Sequence, residues 1–203
     1  MQPVRLLVYS GNEMKTASES AFESFLKENN LTFEKIEEAK EDGARRPDYL
    51  VQIGDIKLMF EIKGLNFAGG NRTIGDHVRR TINEARGQVR YAAEQGIPAV
   101  LLVYNNLDQL FSSGIEDHDF TTAIYGEYTL LFDRNTGAPV DAFYGRNQSM
   151  RKESNIEFSA IGRLKQGSRR MTVTLFDNVF SQVKIPYEKL PACFDVIRVN
   201  ISA

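Results

Sequence analysis

The chain has 203 residues, a formal net charge of −2 and 42% apolar residues, enough to bury one sizeable core. A single cysteine, Cys193, excludes an internal disulfide, and two histidines, His77 and His118, leave no ligand set for a structural zinc. No apolar run approaches the roughly 20 residues of a membrane helix, and the N-terminal run is too short for a signal peptide, so a soluble, cytoplasmic protein with no membrane partner is expected.

Residues 4–9 read as a short strand closed by Gly11-Asn12. A helix is predicted over 17–29, where Ala21, Phe22, Phe25 and Leu26 form one apolar stripe. Residues 33–37 read as a strand and 38–46 as a charged loop. Two strands follow, 49–53 and 56–62, separated by Gly54-Asp55. Residues 64–76 form a glycine-rich loop in which Gly69-Gly70 could flap over a substrate. A helix over 77–95 turns Val78, Ile82, Ala85, Val89 and Ala92 inward and stops at Gly96 and Pro98. Residues 99–104 are wholly apolar, as a buried parallel strand requires, and strand, helix, strand at this spacing predicts a right-handed βαβ unit.

The last third reads differently. A short helix is expected over 120–125, then a hairpin of 128–132 with 140–144 around Asn135-Thr136-Gly137. A second hairpin pairs 156–164 with 171–176 and turns at Gln166-Gly167-Ser168. No linker intervenes, so the expectation is one domain, with an α/β core over 1–110 and a β-rich extension over 111–203 packed on it. His77 reads as a helix-start capping or surface residue, and the stretch from Glu116 to Asp119 as a solvated acidic loop.

Charge is segregated along the chain. Residues 13–42 hold nine acidic and four basic residues, whereas 63–90 hold six basic and two acidic, and 146–170 hold seven basic and two acidic. Two basic segments on an acidic background could form a track for a polyanion.

The chemistry gathers in the first strand pair. If Gly54 and Asp55 are the central turn residues, Ile53 pairs with Ile56 and Asp48 falls opposite Glu61. Alternation then gives one face to Tyr49, Val51, Ile53, Ile56, Leu58, Phe60 and Ile62, all apolar or aromatic. The other, more polar face carries Asp48, Glu61 and Lys63 together at the open end of the hairpin. Two carboxylates directly opposed across strands repel, so they want a cation between them. A hard divalent ion held by Asp48 and Glu61, Mg²⁺ before others, would satisfy them, with Lys63 beside it to stabilise a phosphate or, if burial lowers its pKa, to act as a base. Glu-x-Lys alone carries little, since Glu13-Met14-Lys15 and Glu38-Ala39-Lys40 match it too.

Pro47-Asp48, a spacer and Glu61-Ile62-Lys63 on the next strand, followed by a helix and a buried strand, resemble the PD-(D/E)xK nuclease superfamily. The resemblance covers residues 17–104. It implies a restriction-endonuclease-like α-β-β-β-α-β core with a mixed sheet, and Mg²⁺ (Mn²⁺ as substitute) at Asp48 and Glu61 with the backbone carbonyl of Ile62. It places Lys63 near the attacking water and a helix-borne glutamate, Glu19, at the metal. Thr16-Ala17-Ser18-Glu19 is equally a capping box, which would use Glu19 to cap its helix, and Glu23 offers the same pair of roles one turn later. Gln88 and Tyr91 are similar to a Gln…Tyr pair of RecB-like exonucleases, although here three residues apart, so Gln88 could reach the site. Arg72, Arg79, Arg80, Arg86 and Arg90 are the expected phosphate contacts. The implied activity is a deoxyribonuclease, endonuclease before exonuclease, with DNA as partner, acting as a monomer or homodimer in prokaryotic defence or repair; the alternative is an inactive nucleic-acid-binding module of the same fold.

Overall fold

The computed structural model describes residues 15–37, 45–65, 73–106, 114–167 and 170–199. The strand expected over 4–9, the Gly69-Gly70 flap and Arg72 lie outside them.

Helix α1 (Ala17–Glu28) begins with the capping box read from the sequence: the Thr16 N–H donates to Glu19 Oε2 at 2.8 Å and the Glu19 N–H to Thr16 Oγ1 at 3.2 Å. These bonds satisfy two of the donors that a helix start leaves orphaned. Its apolar stripe buries Phe22, Phe25 and Leu26 completely. Strand β1 (Thr32–Lys35) then leads to the hairpin of β2 (Tyr49–Ile53) and β3 (Ile56–Gly64). Gly54, at φ 55°, supplies the left-handed turn residue, and Ile53 faces Ile56, Val51 faces Leu58 and Tyr49 faces Phe60, the register the turn pair predicted.

Helix α2 (Asp76–Glu94) crosses to β4 (Ala99–Tyr104), which runs parallel to β3 and is buried along its whole length. Next come α3 (Asp117–Tyr125) and a separate two-stranded sheet of β5 (Tyr128–Phe132) and β6 (Pro139–Tyr144). The main sheet resumes with β7 (Phe158–Gln166), β8 (Met171–Asp177) and β9 (Phe194–Ile197). Its order is β1-β2-β3-β4-β7-β8-β9, so it is mixed and seven-stranded.

The sheet therefore does not stop at residue 110. Strand β7 lies parallel against the far edge of β4, so three strands of the expected extension complete the central sheet, and among the described residues only β5–β6 stands apart. The physical reason is visible in β4: six consecutive buried residues need strands on both edges and cover on both faces. Helix α1 covers one face through Phe22, Phe25 and Leu26 against Leu58, Phe60 and Leu102; α2 and α3 cover the other through Val78, Ile82 and Phe120 against Met59, Leu101 and Val103. The stretch expected to be an acidic loop is the start of α3, where Glu116 and Asp119 form a reciprocal cap, and His77 is buried rather than exposed. Among the described residues, no helix is long and apolar enough to cross a membrane.

Candidate active site

The carboxyl ends of the parallel strands β3 and β4 and the N-terminus of α1 meet at one edge of the fold, the position where open α/β sheets hold ligands. The sequence places Asp48 one residue before β2 and Glu61 and Lys63 near the end of β3. Past the last paired residues, Tyr49 and Phe60, the Ile62 N–H donates to Asp48 Oδ2 at 2.7 Å. That bond fixes the carboxylate at the mouth of the hairpin. A β residue points its N–H and C=O to the same side, so the Ile62 carbonyl also faces Asp48 rather than β4.

Glu61 and Lys63 lie on the α2 face, since Leu58, Phe60 and Ile62 belong to the core under α1. This face is covered, not solvated, and Glu61 is only 2% exposed. Its Oε1 sits 2.6 Å from Lys63 Nζ, while Oε2 is buried with no hydrogen-bond partner among the described residues. Burial, and then the charge of Asp48, push its pKa up to about 8, against the opposing pull of Lys63. Burial likewise raises Asp48, the charge of Glu19 adds to this, and the Ile62 N–H and Lys63 offset part of it. For Lys63, burial favours the neutral amine, but Glu61, then Asp48 and Glu84, outweigh it and hold the ammonium above its ordinary value. Lys63 is thus a fixed cation, and the lowered pKa that a basic role requires is not found.

Glu19 sits beside the pair but is committed elsewhere. Its Oε2 takes the Thr16 N–H and its Oε1 pairs with Lys35 at 2.8 Å. Although burial opposes it, Lys35 and Thr16 together hold the Glu19 carboxyl below its usual range. Glu23 is ion-paired with Lys15 and Lys27 and receives the Tyr49 hydroxyl at 3.2 Å, a structural anchor for α1. On α2, Gln88 holds a buried Oε1 with no hydrogen-bond partner among the described residues, and Tyr91 lies under the Arg46 guanidinium at 5.3 Å, so the chain leading into Asp48 is pinned to this helix.

Arg79, Arg80, Arg86 and Arg90, expected as phosphate contacts, each have a partner within the fold. Arg79 donates to Asp76, Ile74, Thr122 and Asn147 and is a clasp between α2, α3 and the segment after β6. Arg86 binds Asn155 at 2.8 Å, Arg90 approaches Glu157 at 3.9 Å and Arg80 approaches Glu84 at 3.8 Å. Sequence reasoning passed over Ser18 and Asn106, which flank Gly64 at the same edge, and the buried Asn105 just beyond β4. A polar residue directly after a fully apolar parallel strand was the available signal. Among the described residues, no group of three or more histidine, cysteine, aspartate or glutamate side chains is arranged to hold a metal. No protein-family model, curated protein or solved structure matches the chain.

Two carboxylates, a backbone carbonyl and a lysine remain as the chemical unit. The oxygen donors are hard, one carboxylate oxygen is buried without a partner among the described residues, and the charge of Asp48 adds to burial in raising the pKa of Glu61. A divalent cation of the Mg²⁺ type fits each of these features.

Proposed function

We propose that the chain is a metal-dependent nuclease of the PD-(D/E)xK kind that hydrolyses phosphodiester bonds in DNA, as an endonuclease rather than an exonuclease, in prokaryotic defence or repair. The observation that carries this reading is Glu61 Oε2, buried and, among the described residues, unpartnered beside Asp48 at the carboxyl end of β3. The element order of helix, three strands, helix and parallel strand supports a restriction-endonuclease-like core.

Asp48, Glu61 and the Ile62 carbonyl would hold Mg²⁺, or Mn²⁺ in its place. When bound, the ion supplies Lewis-acid polarisation of a phosphoryl oxygen and counter-charge for the attacked phosphate. The protein's own part is electrostatic. Lys63, kept protonated by its acidic neighbours, presents a cation where negative charge builds on the phosphoryl oxygens. Asp48, held by the Ile62 N–H, keeps its orientation without help from solvent. Glu61 is buried in a low-dielectric setting, where each of these charges acts more strongly than in water. Glu19, engaged by its cap and by Lys35, stands outside this set and acts on Asp48 only through its charge.

Incubation with supercoiled, linear and single-stranded DNA, and with RNA, in Mg²⁺, Mn²⁺ or EDTA tests the reading. Cation-dependent nicking of the closed circle is expected, and Glu61→Ala should slow it by about 100-fold or more without unfolding the chain. A Glu61→Ala protein that cuts as fast as the parent would sink the assignment. The engagement of both Glu19 oxygens favours a second reading, a binder that keeps the fold without cleaving. It expects salt-sensitive DNA binding and no cation-dependent product.

A further inference from the structure

A cleft of about 530 Å³ opens on the flank of α2 away from Glu84 and Gln88. One wall is the helix, which presents Arg79, Asn83 and Arg86 along one face. The other is the segment that leads from β6 to β7, contributing Gln148, Ser149 and Arg151. Every described lining residue is polar or charged. We propose that this cleft is a second anion site, built to take a phosphate group carried on a sugar, without a metal.

Its walls are fixed by bonds that a solvated surface does not need. Arg79 donates at 3.0 Å to the Asn147 carbonyl and at 3.2 Å to that of Thr122, tying the segment to α2 and α3. Asn155, only 6% exposed, receives Arg86 Nε at 2.8 Å and donates to the Ser149 carbonyl at 2.7 Å. Its own carbonyl takes the Asn178 amide at 3.0 Å. Asn147 and Asn155 both adopt left-handed backbone, at φ 62° and 57°, and so bend the segment around the cavity.

The unspent chemistry is cationic. Asp76, the carboxylate of the lining, is paired with Arg79 and takes the Thr73 N–H. Arg86 uses its Nε on Asn155, and Arg151 its Nε on the Gln148 carbonyl at 3.3 Å. Among the described residues neither forms an ion pair, so both guanidinium forks keep terminal amino groups for a ligand. Two forks beside side-chain amides suit an anion with several acceptor oxygens in a tetrahedral array. Among the described lining residues none is aromatic or apolar and able to stack on a base, so a sugar–phosphate fits and a nucleobase does not. A cation is disfavoured, because the one carboxylate is spent. The source could be the backbone of a nucleic acid or a free sugar phosphate; the site needs neither the carboxylate pair nor cleavage, so it stands independently of the nuclease reading.

The test uses the full chain carrying Glu61→Gln, in EDTA, so that no cleavage enters. Ribose 5-phosphate and inorganic phosphate are titrated against arginine side-chain NMR signals, and a labelled DNA duplex against anisotropy. Arg86→Ala removes a bond to a buried residue and could unsettle the fold, so the deciding variants are Asn83→Glu, which puts a negative charge in the exposed wall, and Arg151→Ala. Each should weaken binding by about tenfold or more while the melting temperature moves by less than about 2 °C. Saturable binding of the small phosphates, lost in these variants, assigns a free sugar phosphate; duplex binding lost in the same variants, with the small ligands weak, assigns a nucleic-acid backbone. Either result supports the site. If no probe binds saturably, or both variants bind as the parent does, the proposal is overturned.

Discussion

Glu61 and Lys63 form an ion pair that uses only half of the carboxylate: Oε1 meets Nζ at 2.6 Å, and Oε2 is buried without a partner among the described residues. A buried charge left half-satisfied costs stability, and a site that retains one invites a function that repays it. Removing either partner should therefore have unequal effects on the cation-free protein at about pH 9, where Glu61 is ionised. Glu61→Gln deletes the unsatisfied charge and should leave the melting temperature within about 2 °C of the parent or raise it. Lys63→Met leaves the acid buried alone and should cost about 1–3 kcal/mol. Thermal unfolding of both variants in EDTA measures the difference, and equal losses would show that the pair is an ordinary structural salt bridge.

The same carboxyl gives a pH dependence. Its folded pKa, about 8, lies above the ordinary glutamate value of 4.5. The folded state thus binds a proton that the unfolded state has released between these values, and this stabilisation is complete below 4.5 and lost as pH rises through 8. In EDTA the melting temperature should fall by several degrees between pH 5 and about 8.5, and the Glu61→Gln protein should lack that component. If Mg²⁺ occupies the pair it competes with the proton, so its affinity should increase as pH rises through the same window. Differential scanning fluorimetry across pH, with and without Mg²⁺, reads both effects.

Much of this site was legible in the sequence, and the reason is local. Gly54-Asp55 admits a two-residue turn, its length fixes the register, and alternation does the rest, so Asp48 and Glu61 could be brought together on paper. What escaped was non-local. The pairing of β7 with β4 joins segments more than fifty residues apart, and nothing in Phe158–Gln166 names its partner, though the all-apolar β4 announces that it needs two neighbours. Strand β9, four residues long, is too short for its pattern to separate it from a loop. The burial of Glu61 comes from α2 lying over a hairpin face whose composition looks solvated. An arginine that clasps two helices, as Arg79 does, has the same sequence signature as one reaching for phosphate.

Glu19 separates two roles that the sequence left open. As a cap, it is worth about 0.5–2 kcal/mol, and Thr16→Ala should cost a similar amount because the bonds are reciprocal. As a metal ligand, it would change the Mg²⁺ concentration at half-maximal cleavage, which Thr16→Ala would not. The expected outcome is matched stability losses for Glu19→Ala and Thr16→Ala, with half-maximal Mg²⁺ shifted by less than about threefold in both. A selective tenfold rise for Glu19→Ala would instead assign it to the metal.

Gly162 tests the packing that holds the site's two strands in place. It lies on β7 beside β4, with its Cα hydrogens directed into the core under α1. A methyl group there would collide with Leu102 and come within 3.0 Å of both Leu175 and the Thr174 carbonyl. Leu102 is fully buried in the same core as Phe60 and Val100, and the Thr174 carbonyl belongs to the paired strand β8. Gly162→Ala adds strand propensity and reduces unfolded-chain entropy, gains of about 0.5–1 kcal/mol in an open position. Overpacking in a rigid core costs about 1–3 kcal/mol, so the net effect should be destabilising. Denaturant titration should show a lower midpoint at an unchanged slope. A midpoint at or above the parent's would mean that β4 and β7 are less tightly apposed than the close contact at Leu102 requires.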